Sequence, residues 1–416
     1  MAQAAVEHTS NRPLVIVVHA SVGSGHRSAA QSVAEALEAE KGVNPALPAN
    51  AEIAVVDILD YGYTRFDGDK TANIFTGIMS PIYNFTWHYV FTGRLLWAGG
   101  YGWSPCMFKP FTKLVEARKP IAIIATHIVG ANAAVAARMV TGQDFPITCV
   151  PTDYGVEGLW PHLDADLFCA ADDVMVKELL PRRIPRESIK VTGIPVRKGF
   201  SEEHNRDETL ESFGLPKDKI IVMVMAGARL SQPYIPFREV VDEAVPLLSE
   251  FPNMHFVFLA GADEEYADRM RKTFETRAIS NASVMGYVED VPQLMDASDM
   301  IIAKSGGLAT TECLCARLPL VLVGKSYGQE RANTLTVTSI GAAEKAETSQ
   351  ELVSVLEAIH NDPARLKTML DSGESMRRPH AARDVAQATL DLVGKVKLPK
   401  KHFLKVYWGK KPYRVR

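Results

Sequence analysis

The chain has too few cysteines, too short apolar runs and too little charge imbalance for several whole classes of protein. Five cysteines in 416 residues, an odd number with no paired ligand spacing, exclude a disulfide framework. Cys313 and Cys315 sit one residue apart in an apolar segment. They are expected to be a buried reduced pair rather than a metal or redox site, in a reducing, cytoplasmic compartment. No run reaches about 18 uninterrupted apolar residues, so no membrane-spanning helix is expected. Met1–Arg12 has no apolar stretch, so no signal peptide is expected either. There is no internal repeat of about 20–50 residues and no long low-complexity tract. The length exceeds one ordinary core, so two domains are expected.

Charge is nearly balanced overall, at −3, but it is unevenly placed. Lys395–Arg416 holds nine of the 46 Lys and Arg and none of the 49 Asp and Glu, which leaves the remainder at −12. With Phe403, Tyr407, Trp408 and Tyr413 among those cations, the tail suits an anionic membrane surface, or is simply a solvated end. The acidic body opposes nucleic acid, which is not an expected partner. Ile74–Pro105 crowds nine aromatic residues between glycines and prolines. It reads as aromatic core helices or as a lipid-facing patch at the headgroup boundary.

Elsewhere, short apolar runs alternate with amphipathic stretches. Strands are expected at Leu14–Val18, Ile53–Val56, Ile121–Ala125, Ile147–Val150, Leu167–Cys169 and Ile189–Val191. A second series follows at Ile220–Met225, His255–Leu259, Ala282–Val284, Met300–Ala303 and Leu320–Val323. Ser28–Glu40, Pro236–Phe251 and Leu308–Ala316 read as helices. Unalternated apolar strands interleaved with helices mean parallel sheets covered on both faces. Two series mean two doubly wound α/β domains. The charged, Gly- and Pro-punctuated stretch Gly193–Lys219 reads as the linker between them.

Ligands of doubly wound sheets bind where strands end and helices begin, because backbone N–H groups there favour anions. Two stretches have that form. Gly23-Ser24-Gly25-His26 follows the first strand; it lacks the Gly-Lys-Ser/Thr of a Walker loop and the third glycine of a dinucleotide fingerprint. His26 is either a general base, titrating near neutrality, or a locally bonded helix-start histidine. Asp153 orients His26, binds an acceptor molecule, or is a strand-end capping acid. In the second half, Lys304-Ser305-Gly306-Gly307 turns into a helix that carries Glu312. A carboxylate there can accept two ribose hydroxyls while the helix N-terminus faces a diphosphate, or the stretch is a plain strand-to-helix loop with a helix-start acid. Gly328-Gln329-Glu330 and Asn333 follow the next strand and offer polar groups to sugar hydroxyls.

Five motifs in order carry a resemblance: Gly23–His26; Thr152-Asp153-Tyr154 with Trp160 and His162; "VTGIPVR" (Val191–Arg197); "GYVEDVPQLM" (Gly286–Met295); and Ser305-Gly306-Gly307 with Glu312, Gln329, Glu330 and Asn333. The chain resembles the GT-B glycosyltransferases of family 28, the bacterial processive diacylglycerol β-glucosyltransferases and monogalactosyldiacylglycerol synthases, from about Val15 to Glu344. The resemblance implies two Rossmann-like domains facing across a cleft. Residues 1–197 would hold the lipid acceptor, 198–375 the UDP-sugar, and 376–416 a C-terminal helix and the basic aromatic tail. His26, with Asp153, would be catalytic. Gly25, His127, Thr152 and Trp160 would contact the acceptor. Ser305, Gly306, Gly307 and Leu308 would meet the diphosphate, Glu312 the ribose, Tyr287 and Val288 the uracil, and Gln329, Glu330 and Asn333 the hexose. The implied reaction is inverting transfer of a hexose to diacylglycerol, without an obligate metal or other cofactor, at the inner face of the cell membrane.

Three departures bear on the acceptor and the diphosphate contacts. Glu157 stands where relatives often carry histidine, Ile128 where proline follows Thr-His, and Arg229 in a stretch that is usually Gly-rich. A lipid-linked peptidoglycan GlcNAc transferase, a UDP-GlcNAc 2-epimerase-like isomerase and a non-catalytic lipid or nucleotide binder are the competing readings.

Overall fold

Runs such as Leu14–His19 and Leu320–Val323 are buried at every position, as strands covered on both faces must be. The computed structural model describes residues 11–22, 24–62, 104, 106–156, 160, 164–182, 184–227, 235–326 and 329–397. The aromatic segment apart from Ser104, the tail beyond Lys397, and Gly23, Glu157, His162, Arg229 and Gly328 lie outside the described residues. The chain divides into two units: the first runs to Arg197 and resumes at His380, and the second is Lys198–Pro379.

The first unit orders β1 (Leu14–His19), α1 (Ser24–Glu40), β2 (Glu52–Asp57), α2 (Lys109–Arg118), β3 (Ala122–Ala125), α3 (Ile128–Thr141), β4 (Ile147–Cys149), β5 (Leu167–Ala170), α4 (Asp173–Leu179) and β6 (Ile189–Val191). Its strands form one parallel sheet in the order β2-β1-β3-β4-β5-β6. The order reverses between β1 and β3, so the loops after those strands diverge and leave a crevice at their carboxyl ends.

The second unit orders α5 (Arg206–Ser212), β7 (Ile220–Met225), α6 (Ile235–Ala244), β8 (Met254–Leu259), α7 (Glu264–Thr276), β9 (Ala282–Met285), α8 (Val291–Asp296), β10 (Met300–Ala303), α9 (Gly307–Cys315), β11 (Leu320–Val323), α10 (Gln329–Ser339), β12 (Ala343–Ala346), α11 (Ser349–Asn361) and α12 (Ala364–Gly373). Its parallel sheet runs β12-β11-β10-β7-β8-β9 and reverses between β7 and β10. A last helix, α13 (Ala381–Leu390), returns to the first unit. It lies on α1, buries Val385 and Leu390 in that core, and joins Thr389 to Thr148 of β4 through their hydroxyls at 2.9 Å.

The structure departs from the sequence expectations in four places. β12, "AEKA", was not expected, because it lacks the β-branched run of the other strands. An edge position lets it bury only its end residues, Ala343 and Ala346, while Lys345 stays exposed. The expected helix Pro236–Phe251 is α-helical only to Ala244 and continues as a 3-10 helix, Val245–Glu250, because Pro246 has no N–H to donate. The linker Gly193–Lys219 contains α5, capped by the Asn205 side chain and tied by Arg206 to Asp299 at 2.8 Å. The second unit runs on to Pro379 rather than 375, and the C-terminal helix expected after it, α13, completes the first unit. Cys313 and Cys315 are free and buried, and burial raises both thiols. Among the described residues, no helix is long and apolar enough to cross a membrane.

Candidate functional site

Strand order decides which loops meet. β1, β3 and β4 are neighbours in the sheet, about 5 Å apart at each step. The residues just beyond their carboxyl ends therefore come together, although those after β1 are 100 or more positions from the others in sequence. His26 lies in the first turn of α1, after β1. Its Nδ1 is 3.1 Å from the carbonyl oxygen of Thr126, after β3, and 2.8 Å from the hydroxyl of Thr152, after β4. The Thr126 hydroxyl in turn donates to the His26 carbonyl at 2.8 Å. A carbonyl only accepts, so Nδ1 of His26 carries the ring hydrogen and Nε2 carries the lone pair. That is the tautomer a general base needs.

His127 stands edge-on to His26, with ring centroids 4.5 Å apart. Its own Nδ1 accepts from the Val129 N–H at 3.2 Å, which caps α3 and places the His127 hydrogen on Nε2. His19, buried at the end of β1 and in register with Asp57, is the third imidazole of this edge. Loss of water depresses the pKa of all three. For His26, the nearby Asp153 charge and the Thr126 hydrogen bond partly offset that loss. For His19, Asp57 does the same. His127 is held well below its ordinary value, by burial first and then by His26 and His19.

Between those depressed values and the ordinary 6.5, the unfolded chain binds more protons than the folded one. Stability is therefore expected to be full above pH 6.5 and to fall as the pH drops below it, by up to about 1.4 kcal/mol per pH unit for each histidine. Melting curves from pH 7.5 to 5 check this. His127→Asn keeps a capping side chain and should flatten the slope; an unchanged slope would show that the His127 imidazole is not one of its sources.

The other residues expected near the acceptor separate. Gly25 and Thr152 belong to the His26 arrangement, Gly25 as its neighbour in α1 and Thr152 as its bonded partner. Trp160 does not join it: its ring is buried edge-on to Phe168 of β5, so its place is in the core.

In the second unit, the loops after β10 and β11 are joined at the same kind of edge. Ser305 bonds to Ser326 at 2.9 Å, and Ser326 to Thr334 at 2.8 Å. The Asn333 amide donates to the Ser305 carbonyl at 3.0 Å. Lys304 pairs with Glu330. Gly307 and Leu308 open α9, whose N-cap, Gly306, supplies no side-chain cap. A Cβ on Gly306 would meet nothing within 4 Å and its φ is −72°, so neither packing nor backbone demands a glycine there. Gly227, after β7, is the opposite case, because a Cβ would fall 1.9 Å from the Ala260 carbonyl. Glu312 lies on the second turn of α9 at 8% exposure, among buried Thr310, Thr311 and Cys313. Gln329 opens α10 and is half-buried. Asn333, expected to touch the hexose, is instead fully buried and serves as a strut beneath Ser305. Tyr287 is 78% exposed and Val288 half-buried after β9. β9 is three strands from β10, about 14 Å.

Residues 26–196 match the family model of monogalactosyldiacylglycerol (MGDG) synthase, and residues 221–385 match the glycosyltransferase family 28 C-terminal domain. The chain is a glycosyltransferase of the family 28 type. It is 26% identical over 388 residues to a processive diacylglycerol beta-glucosyltransferase of Bacillus thuringiensis (strain Al Hakam), covering 91% of this chain and 94% of that one. It is 24% identical to the protein of the same description from Bacillus cytotoxicus, with the same coverage. Among solved structures it resembles UDP-GlcNAc 2-epimerase from Neisseria meningitidis, with a TM-score of 0.60 and 12% identity over 91% of this chain and all of that one. It also resembles Acinetobacter baumannii MurG, with a TM-score of 0.54 and 16% identity over 92% of this chain and all of that one. At such identities the likeness is one of fold, and the fold is GT-B.

Within this family 28 chain, the sequence did not point to Thr126, His19, Ser326 or Thr334, and it offered Lys304 only as part of the turn into α9. Each ends or follows a strand of its sheet, or faces a residue that does. Its signal was only position, since Ser, Thr, Lys and His beyond a strand are common in any α/β loop.

Proposed function

We propose that the chain transfers a hexose from a UDP-sugar to diacylglycerol, or to a lipid already glycosylated, with inversion at the anomeric carbon and without an obligate metal. The observation that carries this reading is His26: its hydrogen is fixed on Nδ1 by Thr126, and Nε2 is left basic. In the proposed reaction Nε2 takes the proton of the acceptor hydroxyl as that oxygen attacks the anomeric carbon. The bond from that carbon to the diphosphate breaks, and UDP leaves. Asp153, whose charge already favours a proton on His26, stabilises the imidazolium that forms.

On the donor side, Ser305, Gly306, Gly307 and Leu308 would meet the diphosphate at the N-terminus of α9, where aligned N–H groups stabilise negative charge. The open space at Gly306 supports this. Glu312 would accept the ribose hydroxyls, Tyr287 and Val288 would flank the uracil, and Gln329 and Glu330 would hold the hexose. The names of the Bacillus relatives support diacylglycerol as acceptor. The basic tail supports peripheral attachment to an anionic membrane from the cytoplasmic side.

UDP release from UDP-Glc, UDP-Gal and UDP-GlcNAc, with and without diacylglycerol vesicles and with a chelator present, tests the reading. Release that depends on lipid and survives the chelator is the expected result, and the fastest donor names the sugar. Turnover of UDP-GlcNAc to its epimer without lipid, or no lipid-dependent release from any donor, would overturn it. Removing Lys395–Arg416 is expected to weaken binding to anionic vesicles, more at low salt than at high. Equal binding by the shortened chain would remove the tail from the account.

A further inference from the structure

Lys304 directly follows β10, and its ammonium pairs with the Glu330 carboxylate in the first turn of α10. Both side chains are about a quarter exposed, 23% and 26%. The backbone on each side is held by other bonds. Asn333 fixes the Ser305 carbonyl, and the chain of hydroxyls from Ser305 through Ser326 to Thr334 ends on the Glu330 carbonyl at 3.0 Å. These contacts are neutral and at least partly buried, so the two turns keep their place when the ion pair opens.

Each end of the pair keeps about a quarter of its surface in water, so an anion of higher charge can reach the ammonium and compete with the carboxylate for it. A diphosphate is such an anion, with more charge and several strong acceptor oxygens. It is also the anion favoured two residues further on, at Gly306, the N-cap of α9, which supplies no side-chain cap and leaves open space.

We infer that Lys304 is a positioning residue that exchanges Glu330 for the diphosphate of the donor, so that the Glu330 carboxylate becomes available to hexose hydroxyls only once a diphosphate is in place. This rests on the assignment of the nucleotide sugar to the second unit. It makes recognition of the two ends of the donor interdependent. A nucleoside without phosphates leaves the pair closed. A donor with both parts opens the pair with one and fills the released carboxylate with the other.

Calorimetric binding of UDP, UMP and uridine to the full chain, as wild type, Lys304→Met, Lys304→Arg and Glu330→Gln, tests the exchange. Lys304→Met is expected to weaken UDP about 10- to 100-fold and UMP less. Uridine should be unchanged, which also reports that the unit is folded. Lys304→Arg should recover most of the loss. Glu330→Gln removes the competitor, so it should bind UDP several-fold more tightly while turning over the UDP-sugar more slowly. UDP binding unaltered in Lys304→Met, or weaker UDP binding in Glu330→Gln, would overturn the exchange while leaving the donor assignment standing. Failure of the wild type to bind UDP would overturn that assignment and the exchange with it.

Discussion

His26→Ala is expected to lower kcat by about 10²- to 10⁴-fold, the usual contribution of a positioned general base, with little change in donor KM. The split follows from the chemistry: the imidazole acts on the acceptor proton as the bond forms, whereas donor affinity belongs to the second unit. The active form is the neutral ring, so activity should fall on the acid side, with an inflection below the ordinary 6.5 because loss of water depresses the His26 pKa. Asp153→Asn removes the charge that partly restores that pKa. It should move the inflection to still lower pH while slowing kcat, since the imidazolium loses its counter-charge. Thr152→Val removes the 2.8 Å partner of Nδ1 but leaves the Thr126 carbonyl. It should cost less than His26→Ala and respond to Thr152→Ser by recovery. A His26→Ala enzyme with wild-type kcat, or an acid limb that ignores Asp153→Asn, would show that this imidazole is not the base.

Glu312→Ala should raise the donor KM by about 10²- to 10⁴-fold, because two hydrogen bonds to a charged acceptor are worth about 1.5–3 kcal/mol each. At saturating donor, kcat should change far less, since ribose contacts hold substrate and transition state alike. Glu312 is 8% exposed on a buried helix, so its replacement can also disturb packing. Glu312→Gln preserves the volume and separates the two effects. It should raise KM while leaving the melting temperature near that of the wild type. A donor KM unmoved in both variants would take the carboxylate out of the donor site.

Much of the architecture was legible because its physics is local. Buried parallel strands must be short apolar runs, and eleven such runs were visible. The twelfth, Ala343–Ala346, was not, because an edge strand need not be buried throughout and its sequence also suits a helix or loop. α5 hid inside a stretch that looked like a linker, because charge and proline describe a short exposed helix as well as a loop. Helix α6 ended early at a proline whose effect the apolar pattern did not show.

The candidate site divides along the same line. The sequence by itself determined that two Rossmann-like sheets form, that His26 and Glu312 sit where strands hand over to helices, and that family 28 motifs follow in order. Only the tertiary structure decided what those residues touch. His26 meets Thr126 and Thr152 across 100 and 126 positions, and Lys304 meets Glu330 across 26. It also decided that Asn333 is a strut and Trp160 a core ring. The reason is that parallel strands are ordered by how their crossover helices pack, a non-local balance of burial that neighbouring residues in the chain do not encode. That order sets β1 beside β3 and β10 beside β11, and with it the partner that fixes the hydrogen on Nδ1 of His26.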